Sequence, residues 1–190
     1  MILVLNPKDF GSDSVLGEPL TLPPSFLHVT LTTTYRSTIA LTKLARFIAK
    51  CKGLYVPEED FGSDVVGTKP IFFDVGVDER KMKEALEHCR KHMGDNVTIL
   101  YCDGNPDPID KMVKDQGKDD GGPWACYYGY NFFGWEAERV VAVTYGWETM
   151  EMFTRARTHL AVILVKCAEN RDHYIQTKEH FQQEASQGLV

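Results

Sequence analysis

The chain has 190 residues, 43% of them apolar and 25% charged, and its 21 Lys plus Arg against 27 Asp plus Glu leave a net charge of −6. That is a globular composition with enough length for one core, which excludes a wholly disordered or collagen-like chain. No apolar run reaches the roughly 18–20 residues that cross a bilayer, and the acidic balance argues against binding nucleic acid through bulk positive charge.

Met1-Ile2-Leu3-Val4-Leu5 is a short strand signal without a basic leader, too brief for a secretory apolar region. A Pro/Gly/Ser-rich stretch through Pro24 follows as a linker. Phe26–Leu31 predicts a strand. From Ser37 the apolar positions Ala40, Leu41, Leu44, Phe47, Ile48 and Cys51 recur at helical steps, and Gly53 stops them. Pro70–Val75 predicts a buried strand. Asp78 is an N-cap for a helix whose inward stripe is Met82, Ala85, Leu86, Cys89 and Met93, closed by Gly94. Val97–Tyr101 predicts a strand, Pro108–Gln116 a short helix, and Lys118–Gly122 an acidic, glycine-rich loop.

An aromatic-heavy segment spans Trp124 to Trp135. A strand follows at Arg139–Thr144, then a helix from about Trp147 to Thr158, a strand at Leu160–Val165 and a polar helix at roughly Glu169–Glu184. Alternation of this kind predicts a three-layer α/β fold, a mostly parallel sheet with helices on both faces. The expected divisions are 1–25 as strand and linker, 26–167 as the α/β body, and 168–190 as a polar helix and tail. The five cysteines are odd in number and scattered, so the chain is expected to be intracellular, in cytoplasm or nucleus.

Arginines stand at two junctions. Arg36 falls where a strand hands over to a helix, a place where backbone N–H groups and the helix dipole favour an anion, and Tyr35 offers a flat face for a base. Arg155 and Arg157 fall near the predicted end of the 147–158 helix. Two residues apart on a helix they would point about 200° from one another, one towards a ligand and one to a local partner. Gly134-Trp135-Glu136 is a third turn. Taken alone, each arginine reads first as a surface ion pair or a charge near a helix C-terminus, and the turn as an ordinary loop.

Taken in order, T-Y-R-S opening an apolar helix, V-T-I-L-Y, G-W-E-A-E-R-V-V and F-T-R-A-R-T-H-L-A-V-I-L resemble the second RecA-like domain of superfamily-1 helicases of the UvrD/Rep type, over about residues 28–166. The T-R-A-R string is the most specific of these. The resemblance implies a RecA-like fold and a chain that is one half of an ATP-dependent motor. Arg155 would be an arginine finger on the γ-phosphate, and Arg36 would reach the same phosphate. Tyr35 would stack on adenine, Glu136 would sit near the ribose or the domain interface, and Gly134 and Arg157 would join the nucleotide-binding set.

No G-x-x-x-x-G-K-[S/T] string occurs in the sequence, so the phosphate cradle, with ATP and Mg²⁺, would come from an N-terminal RecA-like partner domain, in cis or in trans. Tyr128, Tyr130 and Phe133 stand where the family carries Thr, His and Lys before the motif glycine, and they are the candidate contacts to single-stranded nucleic acid. The aromatic run they belong to reads either as a stacking platform or as packing for a strand and its loop. A second functional reading is a degenerate RecA-like domain that serves as a protein-interaction or regulatory module without ATPase activity. No membrane partner is expected. His88 and His92 have helical spacing, but no second pair lies nearby and Cys89 fits the apolar stripe, so no metal is assigned. Asp115, Asp119 and Asp120 lack the calcium-loop pattern.

Overall fold

The computed structural model describes residues 37–51, 65–102, 107–117, 122–132, 135–146, 152–167 and 171–186. The strands expected at 1–5 and 26–31 and most of the acidic loop lie outside these residues. The elements are α1 (Ile39–Cys51), β1 (Ile71–Gly76), α2 (Glu79–Met93), β2 (Thr98–Tyr101), α3 (Asp107–Lys114), β3 (Ala125–Tyr128), a 3-10 turn (Gly129–Phe132), β4 (Ala137–Thr144), β5 (Ala156–Val165) and α4 (Arg171–Ser186).

Among the described residues, five strands form one sheet in the order β1-β5-β4-β2-β3, and each pairing is parallel. Val140–Thr144 and Leu160–Val165 are buried without alternation, as strands covered on both faces must be. One core cluster packs α2 and α3 against Ile99, Val141, Val143, Ala161 and Ile163. A second, on the opposite face, packs Leu41 and Leu44 of α1 and Phe181 of α4 against Val140, Ala142, Leu160 and Val162. The result is the three-layer α/β architecture expected from the sequence.

The topology also explains which element covers which face. From β1 the chain moves to β2 and then β3 by way of α2 and α3, both on the first face. It returns through Phe132, Met152 and Phe153, all on the second face, to β4 and β5. Same-handed crossovers between parallel strands require this change of face when the direction of travel reverses.

α2 matches its sequence signals closely. Asp78 accepts from the N–H groups of Arg80 and Lys81 at 2.9 and 3.1 Å, and the whole predicted stripe is buried. Gly94, at φ +74°, ends the helix in a conformation that costs a residue with a Cβ.

Two differences have physical causes. The helix expected to run through Thr158 is not present there: residues 152–155 form a 3-10 turn and β5 begins at Ala156. Pairing with β4 extends that ladder outward from the apolar core and overrides local preference. Residues 147–151 of that expected helix lie outside the described part. The aromatic segment contains a strand, β3, whose four residues are too few to show a period.

α4 packs into the body of the protein. Phe181 is 1% exposed and its ring stacks on Phe72 of β1 with centroids 4.1 Å apart. Beside that contact the Tyr174 hydroxyl donates to Asp74, and Lys178 Nζ lies 2.6 Å from the other carboxylate oxygen. Burial raises the Asp74 pKa, but the bonds from Lys178 and Tyr174 outweigh it and hold the group below the ordinary carboxylate value. Burial and the donation to Asp74 push the Tyr174 phenol up. No helix among the described residues is long and apolar enough to cross a membrane.

Phe181→Ala is expected to cost about 3–5 kcal/mol in urea unfolding, the price of an emptied aromatic core site; a change under about 1 kcal/mol would mean that α4 lies outside the cooperative unit. The lowered Asp74 pKa gives stability that is present above about pH 4, the unfolded carboxylate value, and is lost as pH falls through the lower folded value. Asp74→Asn is therefore expected to flatten the acid limb of the urea midpoint against pH, with the wild-type chain losing more stability between about pH 4 and pH 2.

Candidate functional site

β4 and β5 start together. Ala137 is the register partner of Ala156, so Glu136 and Arg155, each one residue earlier, enter the sheet side by side at its N-terminal rim. β1 begins opposite Ala161 and β2 opposite Val140. The first residues of β4 and β5 therefore project past both flanking strands as a two-stranded tongue.

The tongue carries an irregularity. Between Ala137 and Arg139 the partner strand advances from Ala156 to His159, one residue more than β4. The extra residue falls around Arg157 and Thr158, a bulge of the kind that re-aims side chains and is uncommon in parallel pairs. The Thr158 hydroxyl donates to Glu138 O at 2.9 Å, tying the bulge across the tongue, and sits 2.9 Å from His159 Nδ1.

The start of α1 is connected to the same rim. Thr38 caps α1, its buried hydroxyl accepting from Leu41 N–H at 3.4 Å. Gly67 presses against it so closely that a Cβ there would lie 2.1 Å from the Thr38 methyl. Thr68, the next residue, donates to Thr158 O at 3.4 Å. The chain thus enters α1, at Ser37 and Thr38, beside the tongue that bears Arg155 and Arg157.

Placement of the candidate residues follows. Arg155 is half-buried in the 152–155 turn, with its Nη2 3.4 Å from Thr154 Oγ1, and Met152 and Phe153 on the same turn are buried anchors. Arg157 is exposed on β5 and Glu136 is exposed just before β4. The helical 200° separation expected for the two arginines does not apply, because neither residue is on a helix. Both precede or open a strand, whereas open α/β sheets commonly bind ligands where strands end. Tyr35, Arg36, Phe133 and Gly134 lie outside the described residues, and of Tyr130 only the backbone, in the 3-10 turn, is described. At the start of α1 the N–H groups expected to serve an anion are in part committed: Ile39 donates to Val65 O at 2.8 Å and Leu41 to Thr38.

The aromatic run divides. Phe132 is buried in the second core, Tyr128 is half-buried against Tyr101 with centroids 6.0 Å apart, and Tyr127 is 46% exposed. Trp135 is 68% exposed, directly beside Glu136 on the rim. Arg139, the one basic residue that follows the run closely, is committed elsewhere: its guanidinium donates to Met93 O at the end of α2, next to the Trp124 indole, which donates to Gly94 O at 3.1 Å. That positive charge stabilises a helix C-terminus.

The rim brings cationic side chains within reach of an anion, and in the described residues it offers no ring of backbone N–H groups around a phosphate. Sequence reasoning missed the rim contacts of Thr68 and Thr158, for which no local signal exists. It also missed the Asp74 group, which a lone acid in the run I-F-F-D-V-G, and Tyr174 four residues before Lys178, could have suggested.

No protein-family model matches the chain, and no curated protein matches it. Solved structures do. One is the C-terminal domain of a possible DNA helicase from Lactobacillus plantarum WCFS1, 13% identical, with a TM-score of 0.49 over 74% of this chain and 94% of that one. A likeness at that level fixes neither ancestry nor activity.

Two arginines on the tongue should behave differently in thermal or urea unfolding. Arg139→Ala removes a charged hydrogen bond from the end of α2 and is expected to cost about 1.5–3 kcal/mol. Arg157→Ala, an exposed position, is expected to stay within about 0.5 kcal/mol of wild type.

Proposed function

We propose that this chain is the second RecA-like domain of a superfamily-1 helicase or translocase of the UvrD/Rep type. It would contribute Arg155 and Arg36 to ATP that a partner domain holds, with Mg²⁺, in its own phosphate-binding loop. The observation that supports this reading is the shared rim: Arg155 and Glu136 precede paired residues of β5 and β4, and the lead-in to α1, at Ser37 and Thr38, lies beside them. Segments far apart in the sequence thereby share one edge of the sheet.

The chemistry needs little more from this half. ATP supplies the phosphoryl group, and charge builds on its oxygens as the bond to the leaving group breaks. A guanidinium brought from a second body compensates that charge only when the two bodies close, which couples turnover to domain movement. Tyr35 would stack on the adenine, Glu136 would face the ribose or the partner domain, and Gly134 and Arg157 would complete the nucleotide-facing set. Tyr128, Tyr130 and Phe133 would contact single-stranded nucleic acid. A chain with the rim and no phosphate loop is expected to be inactive alone.

A second reading has one observation in its favour. Trp135, exposed next to an acidic residue on a chain of net charge −6, suits a docking contact with another protein, as in a RecA-like module that regulates without hydrolysing ATP.

The two readings separate in the complete ATPase, assembled with the domain that bears the phosphate loop. Arg155→Ala and Arg36→Ala are each expected to lower kcat by about 10³-fold or more while leaving the circular dichroism spectrum of the chain unchanged. Wild-type turnover in both variants removes the arginine-finger role and leaves the docking module. Tight ATP binding by the isolated chain would contradict both.

A further inference from the structure

α2 presents two histidines on its exposed side, His88 and His92, one helical turn apart. Their rings lie against each other, with centroids 4.2 Å apart and planes 32° from parallel. Phe73 of β1 meets the His88 ring edge-on at 5.3 Å, so the pair is held from beneath by the sheet. The helix that carries them is a fixed mount. Asp78 caps its start, Arg139 and Trp124 bond its last carbonyls, and Met82, Cys89 and Met93 lock its other side into the core.

Residues four apart on a helix stand one above the other, so two exposed imidazoles there, once their rings turn out of the stack, can offer nitrogen lone pairs to a single ion. Neutral imidazole is a good donor to Zn²⁺, Ni²⁺ and Cu²⁺ and a poor one to Mg²⁺ or Ca²⁺.

We propose that His88 and His92 form a two-point chelating site for a borderline divalent transition-metal ion on the exposed face of α2, with water completing its coordination. Among the described residues no group of three His, Cys, Asp or Glu side chains is placed to hold an ion. Glu84, one turn earlier on the same row, is engaged by Arg80 at 2.8 Å. The site is therefore open and its ion exchangeable. An ion bridging one turn of the folded helix stabilises the native state, because the unfolded chain does not hold the two rings together. The proposal is independent of the nucleotide-facing rim and stands or falls separately from it.

The test uses the full-length chain without a histidine tag and NiCl₂ as the probe. Calorimetric titration is expected to show one saturable site per chain, and saturating Ni²⁺ to raise Tm by about 3 °C or more, reversed by EDTA. His88→Ala and His92→Ala should each weaken binding at least about tenfold, whereas His180→Gln should not change it. In the unsubstituted chain, substoichiometric Ni²⁺ should broaden the ring-proton resonances of His88 and His92 before those of any other histidine, a readout that needs no variant. Absence of saturable binding, full retention of binding in both α2 variants, or earlier broadening of another histidine overturns the proposal.

Discussion

Parallel pairing of β4 with β5 decides which residues share the N-terminal edge of the sheet. The two strands are buried from Val140 to Thr144 and from Leu160 to Val165, so their register is set by core packing on both faces, and a slip of one residue would turn every side chain to the wrong side. Because the strands run in the same direction, their first residues share one edge. Glu136 and Arg155 become neighbours through that geometry alone, although a turn over the second face separates them in the chain. The link from Thr158 through Thr68 and Gly67 to Thr38 then adds the start of α1 to the same edge.

The two ends of the sheet have different characters. Near the C-terminal end of β1, Asp74, Tyr174 and Lys178 satisfy one another and fasten α4. A tyrosine that donates to a carboxylate, with its own pKa raised, is a structural donor and a poor base. The N-terminal end carries exposed Arg157, Glu136 and Trp135 on a projecting tongue.

Much of the architecture is legible in the sequence where local signals agree. α2 shows it best, since Asp78, the five-residue stripe and Gly94 all point to the same helix with the same limits. β5 shows the opposite. T-R-A-R reads as the end of a helix, and only the neighbouring strand, supplying partners as far out as Ala137, turns the residues from Ala156 onward into a ladder. β3 is invisible for a different reason: Ala-Cys-Tyr-Tyr is short, its burial does not alternate cleanly, and its place at the edge is a property of the sheet. For the site, motif order singles out Arg155 and Glu136 as residues of interest but carries no information about which edge they occupy. The hydroxyl contacts of Thr68 and Thr158 join positions 90 residues apart and leave no trace in either neighbourhood.

The bulge at Arg157 and Thr158 separates two requirements that a regular strand would bind together. Inward of it, the in–out phase of β5 is dictated by the core; outward of it, the surplus residue resets that phase, so that Ala156 returns to the second core while Arg157 stays exposed. Gain or loss of a single amino acid at this point would turn Arg157 towards a different neighbour only by moving Ala156, Phe153 and Met152 in the core as well. The direction of the exposed guanidinium at this edge is thus tied to the seating of three buried residues, and a change of length there carries a cost in folding.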